Sequence, residues 1–82
     1  MTLNPIASNM TEIVLNNNVK VLFSYKTPVA YIDDQSNRLH YKTSHYWSKT
    51  TTSHINKWFS LNGLNKDDAI SINQSELDNL TK

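Results

Sequence analysis

The clearest strand pattern in the chain lies at residues 19–26, which read VKVLFSYK. Successive side chains of a strand point to opposite faces of its sheet, so this alternation separates two sets of residues. An apolar face is formed by Val19, Val21, Phe23 and Tyr25, and an outer face by Lys20, Leu22, Ser24 and Lys26. The stretch therefore predicts a β-strand with its apolar face toward the core.

Shorter stretches on either side also read as strands, at residues 12–15, 29–33 and 38–42. Turn-forming residues separate them, with three asparagines at 16–18 and the polar run DQSN at 34–37. Pro28 has no N–H to give to a ladder, so it predicts a corner or an edge. Because connections this short join antiparallel neighbours, the sequence predicts a β-meander of three to four strands.

The period of the pattern then changes from that of a strand to that of a helix. Three apolar residues recur at i, i+3 and i+4: Ile55, Trp58 and Phe59. A hydroxyl among residues 50–52 is the expected N-cap, and Asn62-Gly63 is the expected stop. We place a helix at about residues 51–61 and expect it to pack across the apolar face of the sheet.

The remaining segments complete the predicted architecture. Residues 64–73 are a connector in which 69–72 is a candidate extended piece, and Leu77 and Leu80 indicate a short helix at 75–80. The fold class is therefore α+β, a small antiparallel β-meander with one packing α-helix and a short C-terminal helix. It divides into a flexible N-terminal arm (1–10), the β-meander plus helix core (11–63) and an acidic C-terminal extension with the short helix (64–82).

Composition bounds the function. The chain has 82 residues, which fits one small domain. Its net charge of +1 does not indicate a particular class of partner. It has no cysteine, its longest apolar run is residues 29–32, and residues 1–5 do not resemble a secretion signal. We therefore expect no disulfide, no thiolate metal site and no contact with a membrane. The single glycine, Gly63, excludes a glycine-rich phosphate loop.

Charge is segregated along the chain although its total is small. Residues 1–34 carry −1, residues 35–66 carry +5 and residues 67–82 carry −3. The basic middle segment also contains all three histidines and five of the eight aromatic residues. A basic stretch with interspersed aromatic residues is typical of nucleic-acid binding, because cations bind phosphates and exposed rings stack on unpaired bases. The acidic end either folds back over this surface or stays solvated.

The strand assignments place Lys20, Lys26, Arg38, His40 and Lys42 on one outer sheet face. Tyr46 and Trp47 follow in a loop that overhangs it. The predicted nucleic-acid-binding residues are Lys26, Arg38, Lys42, Tyr46, Trp47, Lys49, His54 and Lys57. The lysines of an ordinary solvated face would look the same, so a structural role for them stays open.

Patterns that would indicate catalysis or metal binding are weak. The histidines, His40, His45 and His54, do not have a recognised metal-ligand spacing. Hydroxyls precede His54 at residues 50–53, but such a run ordinarily caps a helix, and Asp33-Asp34 ordinarily forms a turn. We therefore expect no catalytic residue, no metal and no cofactor, and the protein is not expected to be an enzyme.

Two stretches carry a resemblance to a known family: SYKTPVA at residues 24–30 and YWSKTTTSHINKW at 46–58. The chain resembles a small domain of unknown function found in many tailed-phage genomes, over residues 19–59. Ser53 and His45 stand where that family usually carries lysine. The resemblance implies a viral origin and supplies no activity. If those lysines contact phosphate in the family, this chain binds it more weakly or differently.

The sequence therefore favours a small phage-encoded accessory protein that binds DNA or RNA without catalysis, in the cytoplasm of the bacterial host. The alternative is a host-takeover module that binds and inhibits or redirects a bacterial protein, because free strand edges and exposed aromatic rings also suit a protein partner. A homodimer is compatible with both, since a chain of this size gains core area by pairing. A virion component is a third expectation.

Overall fold

The computed structural model describes residues 2–15, 18–33 and 39–80. These residues form one mixed sheet with the strands in chain order, antiparallel except for the parallel last pair. The strands are β1 (Thr2–Ala7), β2 (Met10–Val14), β3 (Val19–Ser24), β4 (Thr27–Asp33), β5 (Leu39–Thr43) and β6 (Ile70–Ile72). The α-helices are α1 (Lys49–Leu61) and α2 (Gln74–Leu80), and a 3-10 turn covers Lys66–Asp68. The predicted α+β class is confirmed.

The predicted count of three to four strands is too low, since the described residues form six. β1 lies in the segment assigned to the arm and pairs with β2 from Thr2 to Ala7. Its sequence shows no strand alternation and contains Pro5, which an edge strand tolerates because one side of it needs no partner. β6 has only three residues and is held by parallel pairing to β5, a long-range contact that local patterns do not reveal.

The ends of α1 are set by capping. The helix begins at Lys49, and Ser48, not a threonine of residues 50–52, is the N-cap: the Thr51 N–H donates to Ser48 Oγ over 3.1 Å. The predicted stop is confirmed, because the helix ends at Leu61 and Gly63 adopts a φ of +71°. In the first predicted turn Asn18 has a φ of +63°. Residues 16, 17 and 34–37 lie outside the described part of the chain.

The helix α1 covers the face of the sheet opposite to the one predicted. Leu22 is fully buried and belongs to the same core cluster as Ile55, Trp58 and Phe59 of the helix. Ser24 lies on the same face and bonds to the helix as well. The alternation of β3 correctly separates its two faces as far as Ser24, but alternation alone does not tell which helix covers which face.

The second face is covered in part by α2, so both faces of the sheet carry fully buried side chains. Val21 and Leu77 are fully buried outside the α1 core cluster, and Val21 pairs across the sheet with Tyr31. The Tyr31 and Tyr41 rings stack at 4.3 Å between centroids. Burial, followed by the effect of Tyr41, raises the pKa of Tyr31 from 10.0 to about 12.

Replacing Leu22 tests the observed placement of α1. Leu22→Ala removes a fully buried side chain beneath the helix and is expected to lower the free energy of unfolding by about 2–5 kcal/mol in urea denaturation. Leu61→Ala is the matched control, because Leu61 is 62% exposed and its loss should change stability by less than about 0.5 kcal/mol. Equal effects of the two changes would contradict the packing.

The raised pKa of Tyr31 predicts a loss of stability in alkali. From pH 10 to about 12 the folded state retains a proton that the unfolded state has lost, so stability falls across that window. Below about pH 9 both states hold the proton and this contribution is absent. Urea unfolding of Tyr31→Phe should show a smaller alkaline loss than the wild type or Tyr46→Phe, and an unchanged loss would exclude Tyr31 as its source.

Candidate functional site

The connection from β5 to α1 carries two exposed aromatic rings at one end of the sheet. Tyr46 is 70% exposed and Trp47 is 46% exposed. The Trp47 indole N–H donates to Gln74 Oε1 over 3.1 Å, and the His45 ring meets the indole edge-on at 4.4 Å between centroids. Trp47 is therefore held in place while nearly half of its surface stays accessible.

Gln74, the first residue of α2, anchors that indole to the sheet. Its side-chain amide donates to the Pro28 carbonyl over 2.6 Å and to Asp78 Oδ1 over 3.1 Å. The same side chain therefore joins Trp47 to β4 and to the second turn of α2. No local pattern indicates this role, because Gln74 lies 27 residues from Trp47 and 46 from Pro28.

A chain of hydrogen-bonded side chains joins β3 to the first turns of α1. Ser24 Oγ lies 3.1 Å from Thr51 Oγ1 and 2.8 Å from His54 Nδ1, and the Ser48 hydroxyl donates to Thr51 Oγ1 over 3.2 Å. Ser24 and Thr51 are buried. We call these four residues the Ser24 cluster. Sequence reasoning missed Ser24 because it ends a strand, far along the chain from its partners.

Two grooves lie on either side of Trp47 and share Thr51 in their walls. The larger, which we call the Asn56 groove, has a volume of about 300 Å³. Its lining residues are Lys42, Thr43, Ser44, His45, Tyr46, Trp47, Thr51, Thr52, Ile55, Asn56 and Ser71. The smaller, the Ser24 groove, has about 190 Å³ and is lined by Ser24, Tyr25, Thr27, Val29, Trp47, Ser48 and Thr51. Among the described residues, neither lining contains a carboxylate.

The predicted binding residues divide into several groups in the structure. Lys42, Tyr46 and Trp47 line the Asn56 groove. Lys49 is the exposed first residue of α1, on the same flank as Thr52 and Asn56 by helical spacing. Lys26 lies exposed between two residues of the Ser24 groove wall.

Three other predicted binding residues lie apart from the Asn56 groove or outside the described chain. His54 faces the sheet, with Nδ1 bonded to Ser24. Lys57 is exposed on α1, about 12 Å along the helix axis from Lys49 at the usual rise per residue. Arg38 lies outside the described residues.

The prediction that the cations lie on an outer face of the sheet, away from α1, is wrong. His40 is buried, its Nε2–H donates to the Asn65 carbonyl over 2.8 Å, and its ring packs edge-on against Phe59 of α1. Lys20 Nζ reaches Asn62 Oδ1 at the C-terminal end of the same helix, over 3.4 Å. These side chains lie on the face that α1 covers, because the helix packs on the side of β3 that carries Leu22 and Ser24.

The described residues contain no cluster of three side chains able to hold a metal ion. Serine and histidine do meet, at Ser24 and His54, but the bond joins two elements of the core and Ser24 is only 2% exposed. No helix in residues 2–15, 18–33 and 39–80 is long and apolar enough to cross a membrane.

The geometry therefore defines a small α+β domain with two uncharged or basic grooves around an anchored tryptophan. The chain belongs to DUF8033, a family of unknown function whose model matches residues 1–79. The match extends beyond the two blocks at 24–30 and 46–58 and includes β1 and all of α2 except its last residue. No match was found among curated proteins or among solved structures.

Removing the Ser24 hydroxyl tests the polar contact between sheet and helix. Ser24→Ala leaves Thr51 and His54 without their shared partner, and should lower the free energy of unfolding by about 1–3 kcal/mol. Ser53→Ala is the control, since Ser53 is exposed on the same helix and its loss should change stability by less than about 0.5 kcal/mol. Urea denaturation of both variants measures the difference, and equal stabilities would show that the cluster adds nothing.

Proposed function

We propose that this protein is a small phage-encoded accessory protein that binds single-stranded DNA or RNA without catalysis, in the cytoplasm of the infected bacterium. The observation that carries the proposal is the pairing of exposed rings with cations around grooves in which no described lining residue is a carboxylate. Tyr46 and Trp47 stand beside Lys42 in the wall of the Asn56 groove, and Lys49 lies on the adjoining flank of α1.

The cations of this surface are available to phosphate. Lys26 and Lys49 are exposed, Lys42 is half-buried, and none of the three forms an ion pair or side-chain hydrogen bond with another described residue. A cation without a protein partner gives up little when it binds a phosphate, and the release of counterions from the nucleic acid adds to the affinity.

The exposed rings favour a single strand over a duplex. Bases in a duplex are already stacked on each other, whereas unpaired bases are free to stack on an aromatic side chain. Trp47 offers a large ring whose orientation is set by Gln74 and His45, so little side-chain entropy remains to be lost on binding. Tyr46 is the more exposed of the two rings and would stack on the next base.

Salt dependence tests the role of the cations. With contacts from Lys26, Lys42 and Lys49, the affinity for single-stranded DNA should fall roughly 20-fold between about 50 and 200 mM salt. Fluorescence anisotropy with labelled single-stranded DNA, RNA and duplex measures it. Lys49→Ala should reduce the slope of log affinity against log salt by about 0.7. Lys66→Ala is the control, because Lys66 is exposed in the 3-10 turn beyond the far end of α1.

Replacing Trp47 tests stacking. Trp47→Ala should weaken single-strand binding roughly 5- to 150-fold, and duplex binding much less. Trp47→Phe keeps an aromatic ring and should retain most of the affinity. Urea denaturation of each variant separates lost binding from lost folding. Equal losses for single strand and duplex would contradict stacking, and no binding of any nucleic acid by the wild type would contradict the proposal.

The alternative proposal, a module that binds a bacterial host protein, is supported by the free edge of the sheet. Within the described part of the chain β1 pairs with β2 alone, and its Leu3 is 63% exposed. Pro5 lies on that edge and lacks an N–H, so the edge strand is a weaker template for strand addition. A stoichiometric host protein recovered from nuclease-treated lysate, with no nucleic-acid binding by anisotropy, would support this alternative.

A further inference from the structure

We propose that the Asn56 groove is a pocket for one unpaired nucleobase of the bound strand, an inference that rests on the proposed function. In this arrangement the base enters between α1 and the end of β5, beside Trp47, and its edge meets the side-chain amide of Asn56. The phosphates on either side of that base meet Lys42 and Lys49.

The polar groups of the groove support a ligand that both donates and accepts hydrogen bonds. Asn56 and Ser71 line the groove, and their side chains make no hydrogen bond with another described residue. An asparagine amide presents a donor and an acceptor side by side, which matches the edge of a nucleobase. The Asn56 amide is open to solvent, because no buried side-chain nitrogen or oxygen of the described residues lacks a partner, so a ligand in the groove can reach it.

The size and charge of the groove support the same ligand. A volume of about 300 Å³ lies at the lower end of the range for small-molecule pockets, which suits one base and its sugar. Apolar contact is available from Ile55 and the two rings, while Lys42 supplies the charge in the wall. A negatively charged ligand without a flat ring would leave those rings unused.

The groove is tested with oligonucleotides that differ only in their bases. Fluorescence anisotropy compares a single strand of about eight deoxynucleotides with an abasic strand of equal length, which keeps the phosphates and removes the bases. The wild type should bind the strand with bases at least about tenfold more tightly than the abasic strand. Asn56→Ala should lower the ratio of the two affinities about fivefold, since one hydrogen bond to a base is lost. Its affinity for the abasic strand should be unchanged.

Two control variants separate this pocket from general phosphate binding. Asn79→Ala removes an exposed asparagine of α2 and should change neither affinity. Lys49→Ala should lower the affinity for both strands by the same factor. Equal binding of the two strands by the wild type, or an unchanged ratio in Asn56→Ala, would overturn the nucleobase pocket and leave phosphate binding in place. A wild type that binds neither strand would overturn the proposed function itself.

Discussion

The docking of α1 onto β3 is the constraint on which the rest of the structure depends. Trp58 and Phe59 of the helix are fully buried in the core cluster, but apolar surfaces alone tolerate some sliding of one element over another. The hydrogen bonds from Ser24 to Thr51 and His54 do not tolerate sliding, because a buried hydroxyl left unpaired costs more free energy than its hydrogen bond contributes. The first turn of α1 is therefore fixed at one end of the sheet. Trp47 immediately precedes the N-cap of that helix and is fixed with it.

Local patterns predicted those parts of the fold that local physics decides. The stripe of Ile55, Trp58 and Phe59 located α1, and Asn62-Gly63 located its end, because both signals lie within one element. The covered face of β3 could not be predicted, since α1 and α2 bury one face each and alternation is the same in either arrangement. β1 and β6 were missed or left open for a related reason. Each is held by pairing to a neighbour and carries little strand pattern of its own.

Residue type alone selected some of the residues that line the candidate site. Tyr46, Trp47 and Lys42 were chosen from a basic, aromatic segment, and the structure places all three in one groove wall. The supporting residues were not found. Gln74 and Ser24 act through bonds that span 27 to 46 residues, and nothing in a polar residue's own neighbourhood marks it as such a partner.

Because charge is segregated along the chain, it is also distributed unevenly over the folded domain. The basic segment supplies β5 and α1, whereas the acidic segment supplies α2, which packs against β4 from the opposite face. Trp47 stands at the boundary: Gln74 joins its indole to the Asp78 carboxylate on one side, and the Asn56 groove adjoins it on the other. Like charges repel, so a phosphate chain approaching from α2 would meet carboxylates. In the proposed complex the strand would therefore reach the Trp47 ring along α1, and the acidic helix α2 would determine the side of approach.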